Sequence, residues 1–575
     1  MIQRFLLAGA SLAVSLLAQT VTVDLTAAPG TATLAPGITV NAWLYNGTLP
    51  GPVLRVTEGQ TLRVRFRNGL PEATAIHWHG QPVMLGMDGV PGISRPAVAA
   101  GQEFLYELKG LLPGTYWFHP HGHEMQLDAG LAALLIVDPA DPRQDPAFDL
   151  EYGVILDDWN DTLGGGFTGH VLNGRTSAGQ APLVVQPGQR VRLRLLNAAA
   201  VTNYVIALDG HPLTVTHADG NRVQPVVVQA IPIGIGERYD VLVECTNPGV
   251  WSLAAAAIEN RNVTVVRGIV GYAGQTQPPP PANYVPPNLA SGALLTYAQL
   301  AAYHAVAPIT PTPDKTFTAT LSMTMGTGGM RHTINGQSWP NVTPFQVAPD
   351  DQVQMTIVSS GMPMMSEYHP MHVHGHFFRL MNTVGGTTRP PLKDTVLIRP
   401  VGQAGASATV QMLMDNPGRW VFHCHNMEHM ASGMMTAIEY SGDSDGDGIA
   451  NRSDFEPRTA APVTFLSEDA AAFRLGASDR VYVQWTAGQG TALFASPGEL
   501  GSPLPVPPFG FLHLDPAQIV LLGTAVPDPT HRAAFPYAIP NSQTLLGLRL
   551  GFQAFGAASL PGGFRLGPFQ AMTVR

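Results

Sequence analysis

A cysteine between two histidines, His423-Cys424-His425, with His429 and Met434 close behind, places a thiolate, three imidazoles and a thioether in one short stretch. Successive side chains of an extended strand point to opposite faces, so Cys424 faces one way while His423 and His425 face the other. The thiolate, His429 and Met434 suit a blue-copper site, whose trigonal plane takes one more histidine. The two outward histidines must ligate something else, one residue away. Residues of these types at this spacing carry electrons between two metal centres.

Partners for the second centre recur as His-X-His pairs: His77-Trp78-His79, His119-Pro120-His121, His372-Val373-His374 and His423-Cys424-His425. Random scatter of 19 histidines over 575 residues would give about 0.6 such pairs, and the chain has six. Period-2 spacing on a strand puts both imidazoles of a pair on one face, so four pairs can converge eight nitrogen ligands on one cavity. Eight imidazoles are too many for one ion and suit three coppers, for which imidazole is a good ligand. The remaining histidine of the thiolate site is then His369, in His369-Pro370-Met371-His372-Val373-His374.

In order and spacing these motifs resemble the four copper motifs of the multicopper oxidases: His77-Trp78-His79-Gly80, Trp117-Phe118-His119-Pro120-His121, His369 to His374, and His423 to His429. Further likenesses are Asp88-Gly89-Val90-Pro91, Asp157-Asp158-Trp159, Asn173-Gly174, Leu195-Leu196-Asn197-Ala198, Asp219-Gly220-Asn221 and Gly236-Glu237-Arg238-Tyr239-Asp240, so the resemblance covers roughly residues 30–441. It implies that His369, Cys424, His429 and axial Met434 hold a type 1 copper that accepts electrons from substrate. It further implies a type 2 copper on His77 and His372, a type 3 copper on His79, His119 and His425, and a second on His121, His374 and His423. Four one-electron oxidations would then match one reduction of dioxygen to water. Many bacterial members carry an acid directly after the second type 1 histidine, where this chain has Met430. Asp88, eleven residues after His77, matches the acid the family places near the type 2 copper, and Glu428 is the other nearby carboxylate. General acid work needs a carboxyl held near the cluster, which favours Asp88.

These ligands need a scaffold that holds distant strands together. The chain is too long for one core, is rich in Gly (61) and Pro (51), and is only 13% charged. Alternating runs such as Thr61-Leu62-Arg63-Val64-Arg65-Phe66 and Val191-Arg192-Leu193-Arg194-Leu195 predict short strands between turns. The expected class is all-β sandwiches; the resemblance implies three cupredoxin-like Greek-key domains, and strand-like runs in the tail add a small C-terminal β domain. A net charge of −10 argues against nucleic acid and anionic membrane surfaces as partners.

The expected layout places a signal at 1–20, a first domain at 21–145, and a second at 146–275 without a metal motif. A stiff Pro-rich linker over 276–315 precedes a third domain at 316–441, so that the cluster lies between domains one and three, each giving four histidines. The apolar run after Arg4 is too short to span a bilayer and suits export by the general route, to the periplasm or beyond. Only two cysteines occur, so no disulfide framework exists, and Cys245 reads as a packed core thiol. Over 442–456, Asp443, Asp445, Asp447, Asn451 and Asp454 have the spacing of a calcium loop, with a plain acidic tether as the alternative. Residues 457–575 carry strand-like runs, with surface attachment as a guess at their role.

The electron donor is the open point. Of 20 methionines, 15 lie between Met323 and Met435, including Met362, Met364 and Met365 just ahead of His369. Thioethers are soft ligands that select Cu(I), so these three could deliver cuprous ion or another low-valent metal. Methionine also fills irregular core gaps, a role that suits Met412 and Met414 and competes for Met427 and Met430. A phenol, oxidised as a laccase would, is the other donor class. Relatives that keep the fold without copper lose the ligands, and this chain keeps every one.

Overall fold

The computed structural model describes residues 19–121, 124–306, 312–326, 329–362, 367–444 and 450–454, and beyond these the backbone of strands between Val463 and Thr573. The expected signal falls almost wholly outside the described residues.

Period-2 patterning becomes strand as expected. In Gln352–Ser359 half-buried and buried side chains alternate along the whole strand, with Val353, Met355 and Ile357 turned inward. Three pairs of sheets follow one another along the chain. The first packs Ile38–Tyr45, Thr20–Ala35, Thr61–Asn68 and Glu103–Leu108 on Leu54–Thr57, Ala133–Asp138, Gly114–Pro120 and Ile76–His79. The second and third each set six strands on five. Each pair encloses its own core: Leu62, Val64, Phe66 and Phe118 in the first, Leu193, Leu195, Ile206 and Leu253 in the second, Met355, Ile357, Trp420 and Phe422 in the third. Cys245 is buried in the second core, and Met412 and Met414 in the third.

Two ladders position the chemistry. Ile76–His79 runs antiparallel to Gly114–Pro120 with His77 opposite His119. His369–Val373 runs antiparallel to Arg419–Cys424, with His372 opposite His423 and Met371 opposite Cys424. Directly opposed residues share a face, so each ladder gathers its histidines on one side. The same register turns Cys424 and Met371 into the third core.

The Pro-rich stretch is not a bare linker. Between its prolines stand Leu289, Leu295, Leu300 and Ala301, all buried, and they dock on the second domain through bridges at Ala230–Leu294 and Val223–Ala302. Apolar side chains at that spacing gain too much by burial for the segment to stay extended. Among the described residues no helix is long and apolar enough to cross a membrane. Strands from Val463 to Thr573 form three further small sheets, in keeping with a C-terminal β domain.

The second domain does more than space the other two. Arg238 donates to both carboxylate oxygens of Asp394 at 2.8 and 2.7 Å, and Lys393 lies 2.9 Å from Asp219 and 3.0 Å from Glu237. All five groups are buried, so this bolt between domains two and three works in a low dielectric where each charge needs its partner.

Candidate metal centres

The two ladders face each other across the interface of the first and third domains, and all eight imidazoles are buried there. His77 stacks on His374 and His79 on His372, each with ring centroids 3.7 Å apart. His77 Nε2 lies 3.5 Å from His372 Nε2, and His374 Nε2 lies 3.2 Å from His423 Nε2. His119 sits 5.1 Å from His425, and His121 5.2 Å from His423, by ring centroids.

Hydrogen bonds divide the ring nitrogens into two sets. On the outside, His119 Nδ1 meets Pro120 O at 2.8 Å, His372 Nδ1 meets Asp394 O at 2.9 Å, and His423 Nδ1 meets Cys424 O at 3.0 Å. His77 Nδ1 meets Asp88 O at 2.9 Å, and His374 Nδ1 meets the Asp88 carboxylate at 3.0 Å. His79 is turned the other way, with Nε2 on Asp394 Oδ1 at 3.1 Å. His79 Nδ1, His119 Nε2 and both nitrogens of His121 and His425 are buried with no hydrogen-bond partner. Buried polar atoms without partners are costly, and neutral imidazoles braced by an outer partner are what a metal site requires. Burial also pushes these histidines below their ordinary pKa, with like neighbours adding to it: His79, His119, His121, His374 and His425 fall far, and His423 to about 3. The residues fit copper.

The thiolate site lies one residue away. Cys424 Sγ is 3.5 Å from His429 Nδ1 and 3.9 Å from His369 Nδ1, the two nitrogens are 3.1 Å apart, and all three residues are buried. Asn426 caps the short helix Met427–Ala431 by accepting from the N–H groups of Glu428 and His429. That cap fixes where His429 enters. After the helix, Met434 is fully buried, and its carbonyl accepts from Cys424 N at 3.0 Å.

Comparison with known proteins agrees. The multicopper oxidase family's sequence profiles match residues 26–142, 156–275 and 309–444. Multicopper oxidase MmcO of Mycobacterium tuberculosis is 34% identical over 466 residues, which cover 73% of this chain and 87% of that protein. The chain belongs to the multicopper oxidases. Laccase-4 of Trametes villosa is 27% identical to this oxidase over 473 residues, 71% of this chain and 87% of its own. A solved multi-copper oxidase from Pseudomonas thermotolerans aligns with a TM-score of 0.57 at 26% identity, over 74% of this chain and 100% of its own. Fet3p, a multicopper oxidase that functions in iron import, gives a TM-score of 0.63 at 21% identity over 73% and 90%, a likeness of fold. As a multicopper oxidase the protein uses copper, dioxygen and a reducing substrate.

Around this oxidase's sites the structure also places residues that sequence spacing did not single out. Asp394 and Thr395 brace His79 and His372. Glu367 meets His429 Nε2 at 2.9 Å and His332 Nε2 at 3.0 Å, and His332 stacks on His429 at 4.1 Å. These hydrogen bonds hold the Glu367 carboxyl down to about 2. Burial lowers His369 to about 3, whereas the Cys424 thiolate and Glu367 outweigh burial and lift His429 to about 9. Glu367 stands two residues before His369, just ahead of the strand His369–Val373, and that closeness in sequence was the available signal. Gly236, at φ +85°, is a wall of the larger cavity: a Cβ there would lie 2.9 Å from His79 and 3.2 Å from His425.

Other expected site residues fall elsewhere. Glu428 is exposed on the first turn of the helix and does not join the buried cluster, because the cap at Asn426 turns His429 inward and leaves position 428 outward. Met427 and Met430 pack against Trp117, Leu127 and Leu196. Met362 is exposed, while Met364 and Met365 lie outside the described residues. Of the calcium-loop residues, Asp445 and Asp447 are outside the described residues as well. Asn451 Oδ1 accepts from Ser444 N at 3.0 Å and its Nδ2 donates to Ser441 O at 2.9 Å, so both ends of its amide have partners within the chain.

Proposed function

We propose that this oxidase holds four coppers and couples four one-electron oxidations at one site to the reduction of dioxygen at the other. The convergence of eight buried imidazoles, four of them with ring nitrogens that no hydrogen bond takes, carries the reading. His369, Cys424, His429 and Met434 would hold the type 1 ion. His77 and His372 would hold the type 2 ion, and His79, His119 and His425 with His121, His374 and His423 would hold the type 3 pair. Copper supplies single-electron acceptance at the first site and multi-electron reduction of dioxygen at the second. The chain supplies the rest. Cys424 belongs to the first site and its backbone neighbours His423 and His425 to the second, so the electron path between them runs through one residue. Asp88 braces His77 and His374 and is the one carboxylate of the expected pair that faces the cluster, which supports it as the carrier of protons. An exported protein, released by its Met1–Thr20 signal, would meet copper outside the cytosol.

The donor docks where His429 approaches the surface. Glu367 has 46% of its side chain exposed beside His429 Nε2, and this acidic lip suits a phenol whose hydroxyl donates to the carboxylate. The exposed Met362 favours a second donor, cuprous ion. Oxygen uptake by the copper-loaded enzyme, with dimethoxyphenol and Cu(I) side by side, tests the proposal. We expect uptake at four electrons per dioxygen with at least one donor, and none in Cys424→Ser. No uptake with either donor would overturn it.

A further inference from the structure

Asp158, near the end of the strand Leu150–Trp159 in the second domain, is buried. Its carboxylate accepts three backbone N–H groups of a single loop. Ala200 N donates to one oxygen at 2.7 Å, while Val201 N at 3.2 Å and Thr202 N at 2.7 Å donate to the other. Hydrogen bonds to an ionised acceptor are stronger than neutral ones, and three on successive residues fix a stretch of backbone. The same residues offer their carbonyls to the third domain: Ala200 O accepts from Met427 N at 2.9 Å, and Val201 O from Asn426 Nδ2 at 3.4 Å.

Asn426 has little choice in how it meets the loop. Its Oδ1 accepts from Glu428 N at 3.0 Å and His429 N at 3.2 Å, so its other amide end can only donate. It directly follows His425 and caps the helix that carries His429. The loop therefore grips the one piece of chain that serves both candidate metal centres. Its start is tied down as well. Asn197 Oδ1 accepts from Ala199 N at 3.1 Å, and Asn197 O accepts at 2.9 Å from Gly236 N, whose residue walls His79 and His425. Around the grip, Met427 and Met430 pack with Ala198 and Ala200 of the second domain and Trp117 and Leu127 of the first.

We infer that Asp158 is a positioning residue of the oxidase. Through the loop at 198–203 it sets where Asn426 stands, and with it how His429 enters the type 1 site and His425 the larger cluster. This rests on the reading of His425 and His429 as copper ligands. Among the hydrogen bonds of the described residues none joins Asp158 to a copper ligand, so its effect is carried by the loop. A metal site needs its ligands held to within about 0.5 Å, so slack in the loop is felt at the metal. The second domain, without a metal motif of its own, thereby takes part in both centres.

Asp158→Asn keeps the shape and leaves one acceptor oxygen for three donors. In the metal-free protein, amide hydrogen exchange over 426–431 should quicken about tenfold, as expected for losing a hydrogen bond to a charged group. Exchange over 369–373 should stay at the wild-type rate. In the copper-loaded protein the visible absorption band of the thiolate site should shift. Asp240→Asn, which loosens the same domain away from the loop, should lower the thermal midpoint and leave that band unmoved, separating positioning from stability. Asn426→Asp keeps the oxygen that caps the helix and removes the donor to Val201 O. It should reproduce both changes, and it decides the matter if Asp158→Asn does not fold. Faster exchange over 199–202 with 426–431 and the band unchanged would overturn the inference. A wild-type protein that shows no such band on copper loading would overturn the copper reading instead, and the exchange rates would still decide the role of the loop.

Discussion

Which ring nitrogen of a histidine is available is decided by what the other one touches. Five imidazoles of the cluster commit Nδ1 to a carbonyl or to Asp88, whereas His79 commits Nε2 to Asp394. The tautomers are thereby set before any ion arrives, since a neutral imidazole donates from one nitrogen and offers the other. Asp88 does this for two histidines from two domains, through its carbonyl to His77 and its carboxylate to His374. Asp88→Asn should therefore lower activity or copper retention by about 10–100-fold, the usual effect of losing an outer partner; copper per chain and oxygen uptake check it. At this scale the sequence was legible for ligands, whose types and spacing are themselves the signal. It was silent on Asp394 and on what Gly236 does, because bracing and steric fit depend on residues far away in the chain.

Strands carry that information across distance. The His77–His119 and His372–His423 registers follow from period-2 patterning, which was readable, whereas the partner of each strand was set by the motifs only indirectly. The Pro-rich stretch misled because its proline content outweighed the buried leucines between the prolines. One strand shows how firmly elements are joined. Asp240, in Arg238–Glu244, pairs with Arg192 and Arg194 of the adjacent strand and accepts from Thr115 of the first domain at 2.7 Å. Burial would raise its carboxyl, but the two guanidinium groups hold it well below the ordinary carboxylate range. A carboxyl whose folded pKa is depressed stabilises the fold above its unfolded value, near 3.9, and that contribution is lost as pH falls below it. Asp240→Asn should cost about 3–5 kcal/mol near neutral pH by leaving buried arginines uncompensated, and its deficit should shrink below about pH 4. Thermal midpoints of both proteins from pH 7 to pH 3 would show the curves converging.

For the molecule as a whole, the eight imidazoles gather at the interface of domains one and three, and the second domain braces that interface from outside. Arg238 and Asp394 join domains two and three beside His79 and His372. Arg238→Met should remove about 3–5 kcal/mol by stranding Asp394, lowering the thermal midpoint by roughly 2–4 °C per kcal/mol and reducing copper per chain; a copper content equal to wild type would show that the bolt acts on stability alone. The fold class was legible because Gly, Pro and alternating strands dominate the chain. The buried charges between domains were not, since an Arg or Asp in a strand looks like a solvated one until its partner is known.

The ion pairs beside the histidine cluster are made between side chains of domains two and three, so this part of its frame is held without a metal. Folding can thus be complete before loading begins. Metal stripped from such a chain by a chelator should return to it without unfolding, and a far-ultraviolet spectrum unchanged through removal and reloading would check this.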